Sequence, residues 1–451
     1  MRQPSHRRDP DPPSGASSAM TTHSSPAQIH PEILSVEAAR ALALRELVPV
    51  TETETVALGE ALGRVLAVAV ASPLDVPAYD NSAMDGYAFD GAALAAANEG
   101  ELSLAVVGIA LAGHPHPGGT PAGACVRIMT GAPMPLGCDT VIPQERVKVI
   151  AREHTSDTLV KFEAQAVAPG ANCRRAGEDL ARGASVLEAG RVVRPADLGL
   201  LASLGIGQVT VRRRLRVACL STGDELRAPG EPLGAGGRYD SNRATLFGML
   251  ATLGVEAIDG GIVRDDPAAL EAALSEAAAR ADVVITSGGV SVGDADFTRE
   301  LLGRLGRISF ASLAMRPGRP LACGHLAPAA PGARAALFFG LPGNPVAVAA
   351  TFQVIVRDAL LTLMGARPEP APRYPARTLA AIDSRAGRTD FLRGIASRDA
   401  DGNWQVSPAD SQSSASLKGL SDANCFIVIG AELARVEAGA NVEILPFAGA
   451  L

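Results

Sequence analysis

No C-x-x-C pair occurs in this chain, and its six cysteines are scattered at positions 125, 138, 173, 219, 323 and 425. That spacing argues against a structural zinc site. Cys219 and Cys425 fall in apolar runs and read as reduced core residues, which fits a cytoplasmic protein. Positive charge is also short. The formal net charge is −7, which gives no electrostatic ground for binding nucleic acid. No run approaches the ~18 apolar residues of a membrane span, so no membrane partner is expected. The first thirty residues lack the apolar stretch of a signal peptide. They are rich in Pro, Ser, Arg, Asp and His, and read as a disordered tail (1–30), with Met20 a candidate start.

What is present suffices for several cores. Hydrophobic residues make up 47% of the 451, and charged residues 20%. That length suggests about three domains. Helical spacing near 34–45 and 58–68, then a Pro-punctuated stretch, suggests an extended linker region over 31–77, resumed at 170–214. Short strands between Gly/Pro turns over 78–169 predict a small β-rich, barrel-like domain. Strands and helices alternate over 215–366, which predicts a mostly parallel sheet covered on both faces. A Pro-rich linker then opens a second all-β domain over 367–451, with Trp404 in its core. The expected fold class is therefore multidomain: a central α/β unit flanked by small all-β units and an elongated linker.

Ser287-Gly288-Gly289-Val290-Ser291-Val292-Gly293-Asp294-Ala295-Asp296 follows an apolar strand and precedes a helix. Adjacent glycines allow a sharp turn whose amides point at one ligand, and strand–glycine loop–helix is where open α/β sheets bind ligands. A purely anion-holding loop would not choose two acids, so a metal between loop and ligand is indicated. Loops after consecutive parallel strands share one sheet edge. Glu225, Asp265 and Asp296 close three such loops and can converge on a hard cation. Helix capping explains Asp266 before Pro267 without any function.

Five other stretches carry two readings each. Asp80 to Ala88 is a tight turn or a polar site around Gly86. Thr130 ends a strand, in a plain turn or offering a hydroxyl. Arg174 and Arg175 before Glu178 and Asp179 form a solvated pair or an anion clamp. Arg316 and Arg319 flank a Pro-Gly turn, on the surface or around an oxyanion. Pro342 to Pro345 starts a long apolar helix and can shape a pocket edge as well.

Eight motifs in this order, DNSAMDGYA (80–88), RIMTGAP (127–133), RRAGED (174–179), STGDEL (221–226), RDDP (264–267), SGGVSVGDAD (287–296), MRPGRP (315–320) and LPGNP (341–345), resemble the MoeA-type molybdopterin molybdenumtransferases. Gephyrin's C-terminal region is similar. The resemblance covers roughly 31–451. It implies an elongated homodimer of four-domain subunits, with a site between the α/β domain of one subunit and the DNSAMDGYA domain of the other. The implied substrates are adenylylated molybdopterin and molybdate. The implied reaction releases AMP and needs Mg²⁺ or another divalent cation. Other cofactor-biosynthesis proteins, a molybdopterin adenylyltransferase among them, are implied partners.

On that basis Glu225, Asp265 and Asp296 hold the metal. Backbone from Ser287 through Gly288 and Gly289 to Ser291 holds phosphate or pterin, while Asp294 shapes the turn. Asp85 and Asp179 position molybdate or move a proton. Thr130, Arg174, Arg316, Arg319 and Arg393 bind anionic groups, and Pro342 and Pro345 edge the pocket. The chain departs from the family pattern in having Arg316 and Arg319 where Lys is common, and Ser312 where several members carry Lys. Two alternatives stand beside this reading: an adenylyltransferase or pyrophosphatase using the α/β domain alone, and a non-enzymatic scaffold like gephyrin.

Overall fold

The computed structural model describes residues 33–97, 100–151, 158–289, 295–328, 334–367 and 369–447. The expected N-terminal tail lies outside them. At the centre is a seven-stranded sheet in the order Ile33–Leu34, Gly306–Leu313, Pro320–Leu326, Ala336–Leu341, Val283–Ser287, Arg216–Thr222, Glu256–Val263. All strands run one way except Pro320–Leu326, which is antiparallel to both neighbours. The sequence pattern showed no strand there, because Leu-Ala-Cys-Gly-His lacks the β-branched residues that mark one.

Alternation along the central strands splits two cores. Val217, Cys219, Val283, Ile285, Leu337 and Phe339 face Leu246 and Leu250 of helix Ser241–Thr252 and the apolar helix after Pro345. Ala218, Leu220, Val284 and Phe338 face Leu270 and Leu274 of helix Pro267–Arg280 and Leu301 of helix Ala295–Leu305. Being buried on both faces, these strands read as continuous apolar runs. Asp266 caps its helix by accepting from the Ala269 amide at 2.8 Å, ahead of Pro267.

By length and composition alone the helical run Pro345–Leu363 could cross a membrane, with mean hydropathy 1.7, but 72% of its most apolar 18-residue window is buried inside the protein as a core helix. Gln353, Arg357 and Asp358 interrupt its apolar residues. Its middle turn, Phe352–Val356, is a π-helix.

The segments around 53–71 and 185–212 pair with each other in two-stranded ladders, Thr53–Ala57 with Gln208–Arg212 and Val70–Ala71 with Ser185–Leu187. They share a core of Val56, Leu66, Leu187, Leu201 and Val211. Helix Val36–Leu44 instead sends Val36, Ala39 and Ala43 into the central core. Between these segments lies a six-stranded sheet in the order Thr140–Pro143, Gly86–Phe89, Ala124–Ile128, Glu101–Ala110, Thr158–Glu163, Lys148–Ala151.

Near the C-terminus five strands close on themselves, since Thr389–Arg398 pairs both with Trp404–Pro408 and with Cys425–Ile429. Tyr374–Thr378 and Asn441–Pro446 complete the ring. Trp404 is only half-buried, with the Arg398 guanidinium 4.2 Å from its ring centroid. The outer face of this barrel carries Phe391, Phe426 and Phe447, which join the central core. Met315–Arg316 adds a short strand to the barrel beside Thr389 and Asp390.

Candidate active site

Four parallel strands end at the same sheet edge, at Thr222, Val263, Ser287 and Leu341. The loops after them surround a cavity of about 530 Å³. Of the expected residues, Glu225, Asp265, Ser287, Gly288, Gly289 and Pro345 line it. So do Thr222, Tyr239, Asp240, Asn242 and Thr298, which sequence reasoning passed over. The polar run Tyr239-Asp240-Ser241-Asn242 was the available signal. It offers three capping side chains where one is enough, and Asp240 alone takes the cap, from the Arg243 amide at 3.2 Å.

The glycine turn is built tightly. Gly288 and Gly289 sit at φ of 94° and 69°. A Cβ on Gly288 would lie 2.7 Å from the Thr222 carbonyl oxygen, and one on Gly289 would lie 2.9 Å from Thr222 Oγ1. Both contacts are closer than real Cβ atoms allow, so only glycine fits. Of the amides expected to face a ligand, that of Gly288 is already committed. The Gly288 N–H donates to the Leu341 carbonyl at 3.1 Å. Ser287 is likewise committed: its hydroxyl accepts from Asn242 Nδ2 at 2.8 Å and lies 3.5 Å from the Pro342 carbonyl. Ser291 and Asp294 lie outside the described residues. Asp296 is placed only as backbone, in the first turn of helix Ala295–Leu305.

Glu225 and Asp265 are exposed carboxylates on neighbouring loops of one cavity. The Asp265 amide approaches Asp224 Oδ1 at 3.4 Å. Two carboxylates beside a phosphate-sized turn suit a hard divalent cation, which takes one or two carboxylates and completes its shell from substrate and water. Among the described residues no group of three His, Cys, Asp or Glu side chains could hold a metal ion by itself.

Asp85, Thr130, Arg174 and Asp179 do not line this cavity. They belong to a second cluster where three motifs meet. Asn81–Ser82 pairs with Cys173–Arg174, and the Gly131 amide donates to the Ser82 carbonyl at 2.8 Å. Asp85 Oδ1 accepts from the Thr130 amide and from the Thr130 hydroxyl, both at 2.8 Å. The Thr130 amide first, and its hydroxyl second, hold the Asp85 carboxyl below the usual carboxylate range. Asp85 is thus set as an ionised carboxylate rather than an acid. The Thr130 hydroxyl proton is already used, so Thr130 orients Asp85 and does not donate to an anion through that proton. Asp80 ties the cluster together, accepting from Arg175 Nη1 at 2.7 Å and the Ala176 amide at 2.8 Å. Arg174 and Asp179 are exposed, the Asp179 amide donating to the Val76 carbonyl at 3.0 Å.

The arginine loop is a third group. Arg316 is half exposed, and its Nη1 lies 3.9 Å from Oδ2 of the fully buried Asp390. Asp390 is better served by Arg388 Nε at 2.8 Å and the Ser384 hydroxyl at 3.1 Å. Arg319 Nε donates to Ser312 Oγ at 2.9 Å, so the place of a family lysine is reached by a guanidinium from seven residues on. Both arginines keep donors for an anion. Arg393 does not sit with them. It is 1% exposed. Nη1 donates to the carbonyls of Ser413 at 2.8 Å and Ser416 at 3.2 Å, and Nη2 to Ser411. Three of its N–H groups hold the main chain of a serine loop, a role beside the expected one of anion ligand, and its Nε has no partner among the described residues. That loop touches the cavity edge, since the Val346 amide donates to the Ser414 carbonyl at 3.1 Å.

Three family models cover almost all of the described chain: the MoeA N-terminal region (domain I and II) over 34–205, a probable molybdopterin binding domain over 218–362, and the MoeA C-terminal region (domain IV) over 375–447. The chain belongs to the MoeA-type molybdopterin molybdenumtransferase family. It is similar to the molybdopterin molybdenumtransferase of Haemophilus influenzae, at 41% identity across 92% of this chain and 99% of that one. It is also similar to a namesake from Nostoc sp., at 37% identity across 87% and 88%. A solved molybdopterin biosynthesis moeA protein from Pyrococcus horikoshii superposes with a TM-score of 0.75 at 27% identity, covering 92% of this chain and 99% of that one.

Proposed function

We propose that this chain inserts molybdenum into adenylylated molybdopterin, with release of AMP. The observation that carries the reading is the convergence of Glu225 and Asp265 on one cavity with the Gly288–Gly289 turn. Carboxylates and a phosphate-sized turn on one sheet edge suit a metal-assisted reaction of a phosphoanhydride. Mg²⁺ would be held by Glu225 and Asp265, with Asp296 from the adjoining helix, and would polarise a phosphoryl oxygen. The residues of this chain do the rest. The glycine turn, packed on Thr222, would form the wall against which phosphate lies, Pro345 edges the pocket, and Arg316 and Arg319 attract molybdate.

The Asp85–Thr130 cluster would complete the site from a second copy of the chain. Exposed Tyr79, Met84 and Leu136 near that cluster (47%, 41% and 77% exposed) support a covered surface there. Antiparallel pairing of 53–57 with 208–212 supports the division into 31–77 with 170–214, 78–169, 215–366 and 367–451. Free cysteines, four of them buried, support a cytoplasmic location.

The test is incubation with adenylylated molybdopterin, molybdate and Mg²⁺, following AMP. Glu225→Gln and Asp265→Asn should remain folded and lose metal-dependent AMP release by at least about a hundredfold. Unchanged release in both would refute the metal assignment. One observation favours a second reading, in which the α/β domain works alone as an adenylyltransferase or pyrophosphatase: every residue lining the cavity falls between 222 and 345. Full activity in Asp85→Asn would decide for that reading.

A further inference from the structure

The Asn242 side chain has an unambiguous orientation. Its Nδ2 donates to Ser287 Oγ at 2.8 Å and to the Gly343 carbonyl at 2.7 Å. A carbonyl can only accept, so the amide nitrogen must face it. Both N–H groups are then used. Oδ1 remains, buried and without a donor among the described residues, on a residue that lines the cavity. Beside the same cavity, Thr222 is 8% exposed, and its Oγ1 also has no partner among the described residues. Tyr239 is 46% exposed, and its hydroxyl donates to the Glu231 carbonyl at 3.0 Å, which fixes the ring at the cavity wall. A buried acceptor left unmatched is costly, and sites that hold one are built for a ligand that supplies the donor.

We propose that Asn242 reads the nucleoside half of the adenylylated substrate, its Oδ1 accepting a hydrogen bond from an N–H or O–H of the adenosine. Phosphate cannot be the partner of this atom. Ionised phosphate oxygens only accept, and two facing acceptors repel. The anchored Tyr239 ring beside it suits a flat heterocycle. The proposal deepens the reading of this cavity as the adenylate site and rests on it.

The experiment is calorimetric binding of AMP, 2′-deoxy-AMP, 3′-deoxy-AMP and purine riboside 5′-monophosphate to the full chain in Mg²⁺. The three analogues remove one ribose hydroxyl, the other hydroxyl, or the exocyclic amine. Wild type should bind one of them about tenfold more weakly than AMP, the size of one hydrogen bond. In Asn242→Ala that ratio should fall to about one. Because the ratio compares ligands on the same folded molecules, a partly unfolded variant still gives an answer. Wild-type binding of AMP with no discrimination, or an undiminished ratio in Asn242→Ala, overturns the proposal alone. Failure of the wild type to bind AMP overturns the cavity reading, and the proposal with it.

Discussion

Arg393 separates a loop-holding role from an anion-binding one. The perturbation is Arg393→Ala. Truncation removes donors from three carbonyls, those of Ser411, Ser413 and Ser416, in a site where the side chain is 1% exposed. Bonds from a charged donor contribute ~1.5–3 kcal/mol each, and each stranded carbonyl costs ~1–3 kcal/mol unless water reaches it. The carbonyls lie on a loop that can open, so part of this is recovered, and a net loss of ~3–5 kcal/mol is expected. Arg393→Lys should recover little, because one ammonium cannot reproduce a planar fork.

The sole tryptophan makes the assay local. Trp404 pairs with Arg398 on the strand that carries Arg393, so its fluorescence reports this barrel. With a urea slope of ~1–2 kcal/mol/M, the midpoint should fall by roughly 1.5–5 M. An unchanged midpoint, together with lost molybdate binding, would refute the loop-holding argument and return Arg393 to the anion.

Gly318, at φ 106°, seats the arginine loop against the core helix, and a Cβ there would lie 2.5 Å from Thr351 Oγ1. Gly318→Ala should cost ~1–2 kcal/mol more, in thermal or urea unfolding, than Gly387→Ala, where φ is 92° but nothing lies within 4 Å. Asp282 joins the central sheet to the linker, accepting from Arg213 Nη1 at 2.7 Å, Nη2 at 2.8 Å and the Arg216 amide at 2.8 Å. Burial alone would raise its carboxyl, but the Arg213 fork and the Arg216 amide outweigh burial and hold it below the ordinary 3.8. Its stabilisation is therefore complete above about pH 3.8 and lost as pH falls through the lower folded value. Asp282→Asn should cost ~2–4 kcal/mol at pH 7, and a pH series of urea midpoints should show the gap to wild type closing below that point.

Much of the fold was legible because its central strands are buried on both faces, so that Val283 to Ile285 and Leu337 to Phe339 read as apolar runs. The helix over 267–280 was marked at its start by Asp266 and Pro267. The convergence of Glu225 and Asp265 followed from strand order alone. What escaped was set by partners distant in sequence. Asn242 looks like one more polar residue at a helix start, and only Gly343 and Ser287, 101 and 45 residues away, reveal that its oxygen is spare. Arg393 lies in a strand segment buried on both sides, so no alternation betrayed which way it points. Asp80 meets Arg175 across 95 residues, a pairing that no local pattern carries.

The barrel near the C-terminus is part of the site's construction. Asp390 is a fully buried carboxylate, a costly group to bury unless paired. Two of its partners, Arg388 and Ser384, come from the barrel itself, and the third, longer contact comes from Arg316. The Met315–Arg316 strand is held beside Thr389 and Asp390 by backbone pairing. The direction in which the arginine loop leaves the central sheet is thus fixed by the barrel. On the other side, Arg393 holds the serine loop whose Ser414 carbonyl receives the Val346 amide, next to Pro345 at the cavity edge. Between Asp390 and Arg393 on one strand, Phe391 is buried in the central core and Leu392 in the barrel core, which ties both contacts to a strand packed on both faces. A change in barrel packing must therefore move the arginine loop and the cavity edge together. That is why a domain that contributes no lining residue can govern the shape of the site.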